Sequence, residues 1–473
     1  MLAGLPSLAE LAGANGTRNG QQFLVRSDGR VVPAVNAFLA SRRMGAVRKL
    51  TQVKYARGLG VWLGYLDAVG RSWDAASAED VAGFKFWRMT DASNPGRVAG
   101  STVADNLGAV NEFYRWAEDR YEVTNPVAKR ELRSRRRGEV VETIAAKPHA
   151  TRERDVKWLD PRGYAMWRDV GLRGLDRQGR EASGWRGRNS QRDCAFADGL
   201  YGTGLRLSEW SSVLITELPG EDATRSYYTC RLAAECGKGG RGRRYWMPAG
   251  VLSDVLAYIE GERAAAVRRA QRAGRYQRLD EVLVVEREPA GRRLYLLDAV
   301  GARSMVSLDS LAPEERASLF RSGPGGLEPV ALWLSEDGLP RVGHSWSDTF
   351  DTANERVARA GLSGVFATAH ILRHSFALRW FSVGRLLYEA RFAHLDAEEM
   401  RDFRAQFGDT WYLVKTLLGH ADVSTTMDTY LEPFRDLDVA LLIEHAHGTV
   451  LAQLMAEMFA AHPQVITAAG REA

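Results

Sequence analysis

Two stretches of helical periodicity in the first third of the chain most constrain how it can fold. In residues 49–69 and 101–120, leucine, valine and aromatic side chains recur at spacings of three and four. This spacing places apolar side chains along one face of a helix, and that face must be buried against another element. Residues 32–126, which end in an Asn-Pro pair, are therefore predicted to form a compact unit of four helices.

Length and charge suggest that the chain has a basic N-terminal segment and a separate, near-neutral body. The 473 residues suffice for two or three domains. Residues 1–156 hold 24 basic and 17 acidic residues, whereas the remainder holds 40 and 42. A basic segment ahead of a near-neutral body is typical of a DNA clamp on a catalytic domain, although solvated charge without a partner is an equally good interpretation. Arginine outnumbers lysine by 56 to 8, which suits bidentate phosphate contacts or reflects a GC-rich genome.

Several classes of protein are disfavoured by the same sequence. No apolar run reaches the length of a bilayer span, and the first residues lack the features of a signal peptide, so we expect a cytoplasmic protein. Cys194, Cys230 and Cys236 form no metal-binding or disulfide pattern and are predicted to be reduced core or strand residues. His370 and His374 lack the glutamate of a zinc helix, and the glycine-rich stretches lack P-loop spacing, so neither a metal nor another cofactor is expected.

The residues that carry chemistry concentrate at 370–430. The run HILRH opens this region on a predicted helix, where His370 and Arg373 share a face. The run LLGH ends at His420, and Tyr430 follows ten residues later on a second, short predicted helix. The region thus combines two imidazoles, a guanidinium and a phenol, which together can attack a phosphodiester.

Two stretches upstream add further charged groups. The run GTGLRLSE at 202–209 contains Arg206 and Glu209. The run GKGGRGRR at 237–244 contains Lys238 in a glycine-rich turn between predicted strands. Lysine is scarce in this chain, so the presence of Lys238 in a glycine-flexible turn is informative.

Taken in chain order, these motifs resemble the signature of tyrosine recombinases, the phage integrase family. The resemblance implies a mainly α fold with a small antiparallel β-sheet, in which a helical core-binding (SAM-like) N-terminal domain precedes the tyrosine-recombinase catalytic domain. Strands are expected at 213–218, 227–233 and 243–247, with a further pair at 282–285 and 294–297. The expected domains are a flexible arm 1–30, a helical core DNA-binding domain 31–130, a basic linker 131–157, a catalytic domain 158–435 with an insertion at about 262–328, and a C-terminal helical tail 436–473.

The resemblance also assigns roles to residues. The implied catalytic residues are Arg206, Lys238, His370, Arg373, His420 and Tyr430, with Glu209 in support. The tyrosine is the implied nucleophile, the arginines hold the phosphate, the lysine protonates the leaving 5′ oxygen, the first histidine is the base, and the second histidine donates to the phosphate. The residues predicted to bind DNA are Lys129, Arg130, Arg133, Arg135, Arg136, Arg137, Arg241, Arg243 and Arg244.

The implied activity is site-specific DNA recombination through a 3′-phosphotyrosine intermediate and a Holliday junction, without metal or ATP. Its implied partners are double-stranded DNA with specific recombination sites, three further copies of the chain in a homotetramer, and in some systems an accessory directionality factor, in the bacterial nucleoid and away from membranes. Two alternatives stay open, a type IB topoisomerase-like relaxing enzyme and a non-catalytic DNA-binding regulator with the same fold. The C-terminal tail is equally suited to dock on a neighbouring protomer or on its own domain. The chain between 381 and 411 is longer than compact family members need.

Overall fold

A computed structural model describes residues 17–18, 20–26, 28–133, 140–146, 157–279, 281–288, 291–298, 301–341, 343–362, 364–392 and 465–466. The chain divides into two compact units, Met1–Glu153 and Arg154–Ala473. Each unit contains its own hydrophobic core. The mainly α architecture with small, largely antiparallel sheets agrees with the fold class expected from the sequence, although two of the described strand pairs are parallel.

The first unit is helical, as its periodicity predicts. Its helices are α1 Pro33–Ala40, α2 Arg42–Gly45, α3 Lys49–Ala68, α4 Ala78–Met89 and α5 Gly100–Tyr121. The four predicted helices are present, and α2 adds one further turn. Ser77 begins α4 with a capping box, in which its hydroxyl accepts from the Asp80 N–H and the Asp80 carboxylate accepts from the Ser77 N–H. Trp62 and Phe84, which are fully buried, meet edge to face at 5.2 Å in the core.

The segment predicted to be a basic linker contains regular structure at its start. Strand β1, Lys129–Arg133, pairs antiparallel with β2, Val140–Ile144. The predicted basic linker thus contains paired strands at these residues. Strand pairing uses backbone groups, so a run of charged side chains does not prevent it. Residues 134–139 and 147–156 lie outside the described residues.

The second unit surrounds a buried helix with other helices and short strands. Its elements up to residue 272 are β3 Trp158–Leu159, α6 Pro161–Arg168, α7 Ser190–Thr203, α8 Leu207–Trp210, β4 Tyr227–Leu232, β5 Arg243–Pro248, α9 Ala249–Tyr258 and α10 Ala264–Arg272, the last of which lies at the start of the predicted insertion. A single π-turn, Ile259–Arg263, joins α9 to α10. Almost every residue of α7 is buried, because Trp210, Trp333 and Trp346 pack near its Phe196. The predicted strands around 227–233 and 243–247 are confirmed as the antiparallel β4–β5 hairpin.

The strand expected at 213–218 is absent. Leu214 makes one isolated bridge with Ala331, and Ile215–Glu217 forms a 3₁₀ turn. The Glu217 carboxylate accepts from the Leu214 N–H at 3.2 Å and from the Arg316 guanidinium at 2.6 Å. The strand preference of this apolar, β-branched run is thus overridden by a buried ion pair whose arginine lies about a hundred residues further along the chain.

The predicted insertion forms a five-stranded sheet. Its elements are β6 Leu283–Arg287, β7 Arg293–Leu297, β8 Arg303–Ser307, α11 Pro313–Ala317, β9 Leu319–Gly323 and β10 Gly326–Pro329, with the strand order β10-β9-β6-β7-β8. The predicted pairing of the first two strands is confirmed, and the Gly- and Pro-rich end adds β9 and β10. Leucines of β7 and β9 pack with Leu214 of the main body, so the insertion shares a core with the rest of the second unit.

The remaining described elements close the second unit. They are α12 Trp346–Arg359, α13 Ala369–Phe392 and β11 Val465–Ile466, which pairs parallel with β3. The predicted tail helix lies outside the described residues. Cys194, Cys230 and Cys236 are buried free thiols, as predicted. Among the described residues, none of the helices combines the length and the apolar character of a membrane span.

Candidate active site

The run GTGLRLSE at 202–209, called the Arg206 motif, forms a tight bend between two helices. Helix α7 ends at Gly204, which adopts a left-handed backbone with φ of 62°. Arg206 then stands at the N-cap of α8, where its N–H donates to Glu209 Oε2 at 2.9 Å. The Arg206 guanidinium also donates to Glu209 Oε1 at 2.7 Å, and its side chain stays 24% exposed. The guanidinium is therefore oriented by a neighbour and still open to a ligand.

Glu209 is the buried centre of the arrangement. Its side chain is fully buried, and Arg243 donates to both of its oxygens, at 3.1 and 2.7 Å. Burial raises the pKa of the Glu209 carboxyl, but the hydrogen bonds and charge of Arg243 and the charges of Arg373 and Arg206 outweigh that effect and lower the pKa to about 2. Glu209 is therefore ionised at neutral pH and acts as a common counter-ion for the arginines around it.

Arg373 reaches the same bend from α13. Arg373 is 3% exposed, and its guanidinium donates to the Gly204 carbonyl oxygen. The same helix is anchored to β3 by Ser375, whose hydroxyl accepts from the Leu159 N–H at 2.8 Å. A Cβ atom at Gly204 would lie 2.3 Å from the Phe376 ring. The glycine therefore allows α13 to approach closely enough for Arg373 to contact the Arg206 motif.

Lys238 lies in the loop that connects β4 and β5. It is exposed, between Gly237, which is buried, and Gly239 and Gly240, whose φ values are 76° and 68°. Gly237 has no room for a side chain, because a Cβ atom there would lie 2.1 Å from the Arg241 carbonyl oxygen. The loop is therefore a tight turn that presents Lys238 at its surface, on a hairpin connected to Glu209 through Arg243.

Of the two histidines and the tyrosine predicted to be catalytic, only His370 lies among the described residues. His370 is exposed in the first turn of α13, and its ring meets that of His374 edge to face at 5.0 Å. His420 and Tyr430 lie outside the described residues. The structure thus brings Arg206 and Arg373 together around one bend, while Lys238 and His370 stand exposed on the hairpin and on α13.

The residues predicted to bind DNA fall into three groups. Arg241 and Arg244 are exposed beside Lys238, and Lys129 is exposed at the start of β1. Arg130 and Arg133 belong to β1, whereas the predicted DNA contacts at 135–137 lie outside the described residues. Arg243 differs from the others, because its guanidinium binds Glu209 and its side chain is only 13% exposed.

Sequence reasoning missed the structural position of Arg243. A usable signal was the alternation along β5, where Tyr245 and Met247 are buried on the face to which Arg243 also points. An arginine whose side chain points to the same strand face as core residues needs a buried acidic partner, and Glu209 is that partner. The second missed feature is the Gly204 carbonyl, since a backbone acceptor for Arg373 has no signature in the sequence.

Comparison with known proteins finds one matching family model and two curated relatives. Residues 36–121 match the family model of the phage integrase N-terminal SAM-like domain. An integrase/recombinase from Escherichia coli and another from Pseudomonas aeruginosa are each 27% identical over 236 residues, which is 49% of this chain and 52% of the relative. The chain thus aligns with about half the length of these curated relatives.

Solved structures of recombinases resemble the fold at low sequence identity. The XerH site-specific recombinase bound to palindromic difH substrate, a post-cleavage complex, has a TM-score of 0.46 at 13% identity, covering 84% of this chain and 80% of that one. A lambda integrase(75-356) dimer bound to a COC′ core site has a TM-score of 0.43 at 12% identity, covering 86% and 98%. With a phage integrase SAM-like domain at residues 36–121 and a partial match to curated integrase/recombinase proteins, the chain is identified as similar to the tyrosine recombinases of the phage integrase family.

Proposed function

We propose that this protein is a site-specific DNA recombinase that cleaves and rejoins strands through a 3′-phosphotyrosine. The observation that carries the proposal is the meeting of Arg206 and Arg373 at one bend, with Glu209 ionised between them. Two guanidiniums at one site suit a phosphodiester whose non-bridging oxygens gain charge in the transition state. No metal ion or nucleotide is required by this assignment.

The proposed reaction divides a strand exchange into two transesterifications. Tyr430 attacks phosphorus and forms a bond to it, His370 accepts the phenolic proton, and the bond from phosphorus to the 5′ oxygen breaks. Lys238 gives its proton to that leaving oxygen. The phosphotyrosine conserves the bond energy, so a new 5′ hydroxyl can displace the tyrosine without ATP. His420 supplies a further donor to the phosphate.

The partners follow from this chemistry. Exchange between two duplexes needs four active sites, so we propose a homotetramer on two DNA duplexes with a Holliday junction between the two rounds of cleavage. The exposed arginines beside Lys238 and the basic β1 region are proposed to contact phosphates. A directionality factor is proposed as an optional partner, and the bacterial nucleoid as the place of action.

The test is to trap DNA that is covalently attached to the protein. Wild type is compared with Tyr430→Phe and with the matched control Tyr412→Phe. Each chain is expressed in a host that carries the DNA element from which the chain comes, the cells are lysed in denaturant, and the attached DNA ends are sequenced. We expect unique ends on wild type and on Tyr412→Phe and none on Tyr430→Phe. Scattered ends indicate topoisomerase-like relaxation, and an absence of linked DNA from wild type contradicts strand cleavage and favours a non-catalytic DNA-binding regulator.

A further inference from the structure

The inserted sheet contacts the hairpin that carries Lys238 through one short segment. This segment, residues 308–311, follows β8 and is called the strap. Asp309 Oδ2 accepts from Arg231 of β4 at 3.0 Å, and the Asp309 carbonyl accepts from the Glu235 N–H at 3.1 Å. The Leu311 carbonyl lies 4.0 Å from the Cys236 thiol. The strap therefore contacts the chain just before the Lys238 turn at three points.

The strap is itself fixed to the body of the second unit by Arg316. This arginine is 2% exposed and donates to the carbonyls of Leu308 and Leu311 at 2.9 and 3.3 Å, which lie at the two ends of the strap. It also donates to the Ser212 carbonyl at 3.1 Å and to the Glu217 carboxylate at 2.6 and 3.1 Å. A guanidinium with its donors satisfied in this way holds the strap in one position.

Asp309 is positioned before it meets the hairpin. Its N–H donates to the Ser307 hydroxyl at 3.2 Å, and its other carboxylate oxygen accepts from Arg292 at 3.4 Å. An isolated ion pair as exposed as that of Arg231, whose side chain is 59% exposed, contributes little. Here the Asp309 carboxylate is already oriented, and the hydrogen bond from the Glu235 N–H to the Asp309 carbonyl accompanies the ion pair. The contact with Arg231 therefore costs less side-chain entropy.

The hairpin is therefore held on both strands. At the start of β5, Arg243 connects it to Glu209 and so to the Arg206 motif. At the end of β4 and in the residues that follow, the strap connects it to the insertion. We propose that the strap positions the general acid, with Asp309 and Arg231 fixing the base of the loop between β4 and β5 so that Lys238 reaches the leaving 5′ oxygen.

This inference rests on the proposed function, because it assigns Lys238 to protonation of the leaving oxygen. It predicts different effects on an oxygen and on a sulfur leaving group. A 5′ bridging oxygen leaves poorly without a proton, whereas a bridging sulfur leaves as a stable thiolate and needs none. A defect confined to the position of Lys238 must therefore slow cleavage of an ordinary phosphodiester and spare a 5′-phosphorothiolate. A general loss of structure must slow both.

The experiment combines two measurements on the full chain. The variants are Asp309→Asn, Arg231→Gln and the double variant. The matched control is Arg303→Gln, which removes an exposed ion pair with Glu286 in the same inserted sheet, away from the strap. Hydrogen exchange of the amides at 233–242 is followed without DNA, and single-turnover cleavage is followed on oxygen and sulfur substrates carrying the site recovered from the trapped ends.

We expect amide exchange at 233–242 to rise about 3-fold to 10-fold in both single variants, with no further increase in the double variant and no change in the control. Oxygen-substrate cleavage is expected to fall about 10-fold or more while sulfur-substrate cleavage stays at the wild-type rate, as in Lys238→Ala. Unchanged exchange overturns the proposed contact, and equal loss on both substrates overturns the positioning role. If wild type cleaves neither substrate, the proposed function fails, and the exchange data alone decide whether the strap holds the hairpin.

Discussion

At the scale of single residues, Glu209 explains how several guanidiniums can share a small volume. Arg206 and Arg243 donate directly to its carboxylate, and Arg373 lowers its pKa through charge. Three positive charges and one negative charge leave a net charge of about two, which suits a phosphoryl group that gains charge on its non-bridging oxygens. The carboxylate thus allows the arginines to be preorganised before the proposed DNA substrate binds, instead of repelling one another.

The first prediction concerns the pH dependence of stability at Glu209. Its pKa is lowered from 4.5 to about 2 in the folded protein. The resulting stabilisation is fully present above the unfolded pKa of 4.5 and is lost as the pH falls towards about 2. The whole effect amounts to roughly 3 kcal/mol in the free energy of unfolding. Glu209→Gln should remove this dependence and be less stable than wild type near neutral pH.

Urea unfolding of wild type and Glu209→Gln, from neutral pH down to about pH 3, measures the difference directly. The gap in the free energy of unfolding should narrow as the pH falls. Glu336→Gln, which alters a carboxylate that is 43% exposed beside Arg188, serves as the control and should follow wild type. A gap that stays constant with pH contradicts the lowered pKa of Glu209.

At the scale of elements, the second prediction concerns the bend between α7 and α8. Gly204→Ala introduces a Cβ atom 2.3 Å from the Phe376 ring and forces alanine into a left-handed backbone. We expect a loss of about 2–4 kcal/mol in the free energy of unfolding, together with slower DNA cleavage, because the Gly204 carbonyl that Arg373 binds must move.

Gly250→Ala is the matched control for this change, since Gly250 lies in α9 with no atom within 4 Å of an added Cβ. It should leave stability unchanged or raise it by up to about 1 kcal/mol. Thermal or urea unfolding of both variants provides the measurement. Equal stability of Gly204→Ala and wild type rules out the close approach of α13 to this bend.

Elements with local signals were predictable from the sequence. Helices α3 and α5 have apolar stripes at helical spacing, and the β4–β5 hairpin has alternating strands around glycines. The 3₁₀ turn at 215–217 was not predictable, because its conformation depends on the distant Arg316. In the site, the charged motifs marked Arg206 and Arg373, but their meeting depends on the carbonyl of Gly204, a group that every residue possesses.

At the scale of the whole molecule, the net positive charge is concentrated in the first third of the chain. Residues 1–156 carry 24 basic and 17 acidic residues, and the densest basic run coincides with β1 and the residues that follow it. Strand pairing of β1 with β2 gives this run a fixed backbone at its start. A proposed DNA contact from β1, whose backbone is fixed by strand pairing, loses less conformational freedom on binding than one from an unpaired segment.

The last prediction tests whether this basic run binds phosphates. Replacing Arg133, Arg135, Arg136 and Arg137 by glutamine should weaken binding to any duplex and reduce the slope of log affinity against log salt by about 3 to 4, since each phosphate contact contributes roughly 0.9. Fluorescence anisotropy over a range of salt concentrations measures both effects. The control replaces Arg177, Arg180, Arg186 and Arg188 of the second unit, which gives the same change in net charge. If the two quadruple variants lose affinity and salt dependence equally, the basic run contributes to DNA affinity only through general charge attraction and is not a specific clamp. Only direct phosphate contacts can distinguish two variants of equal net charge.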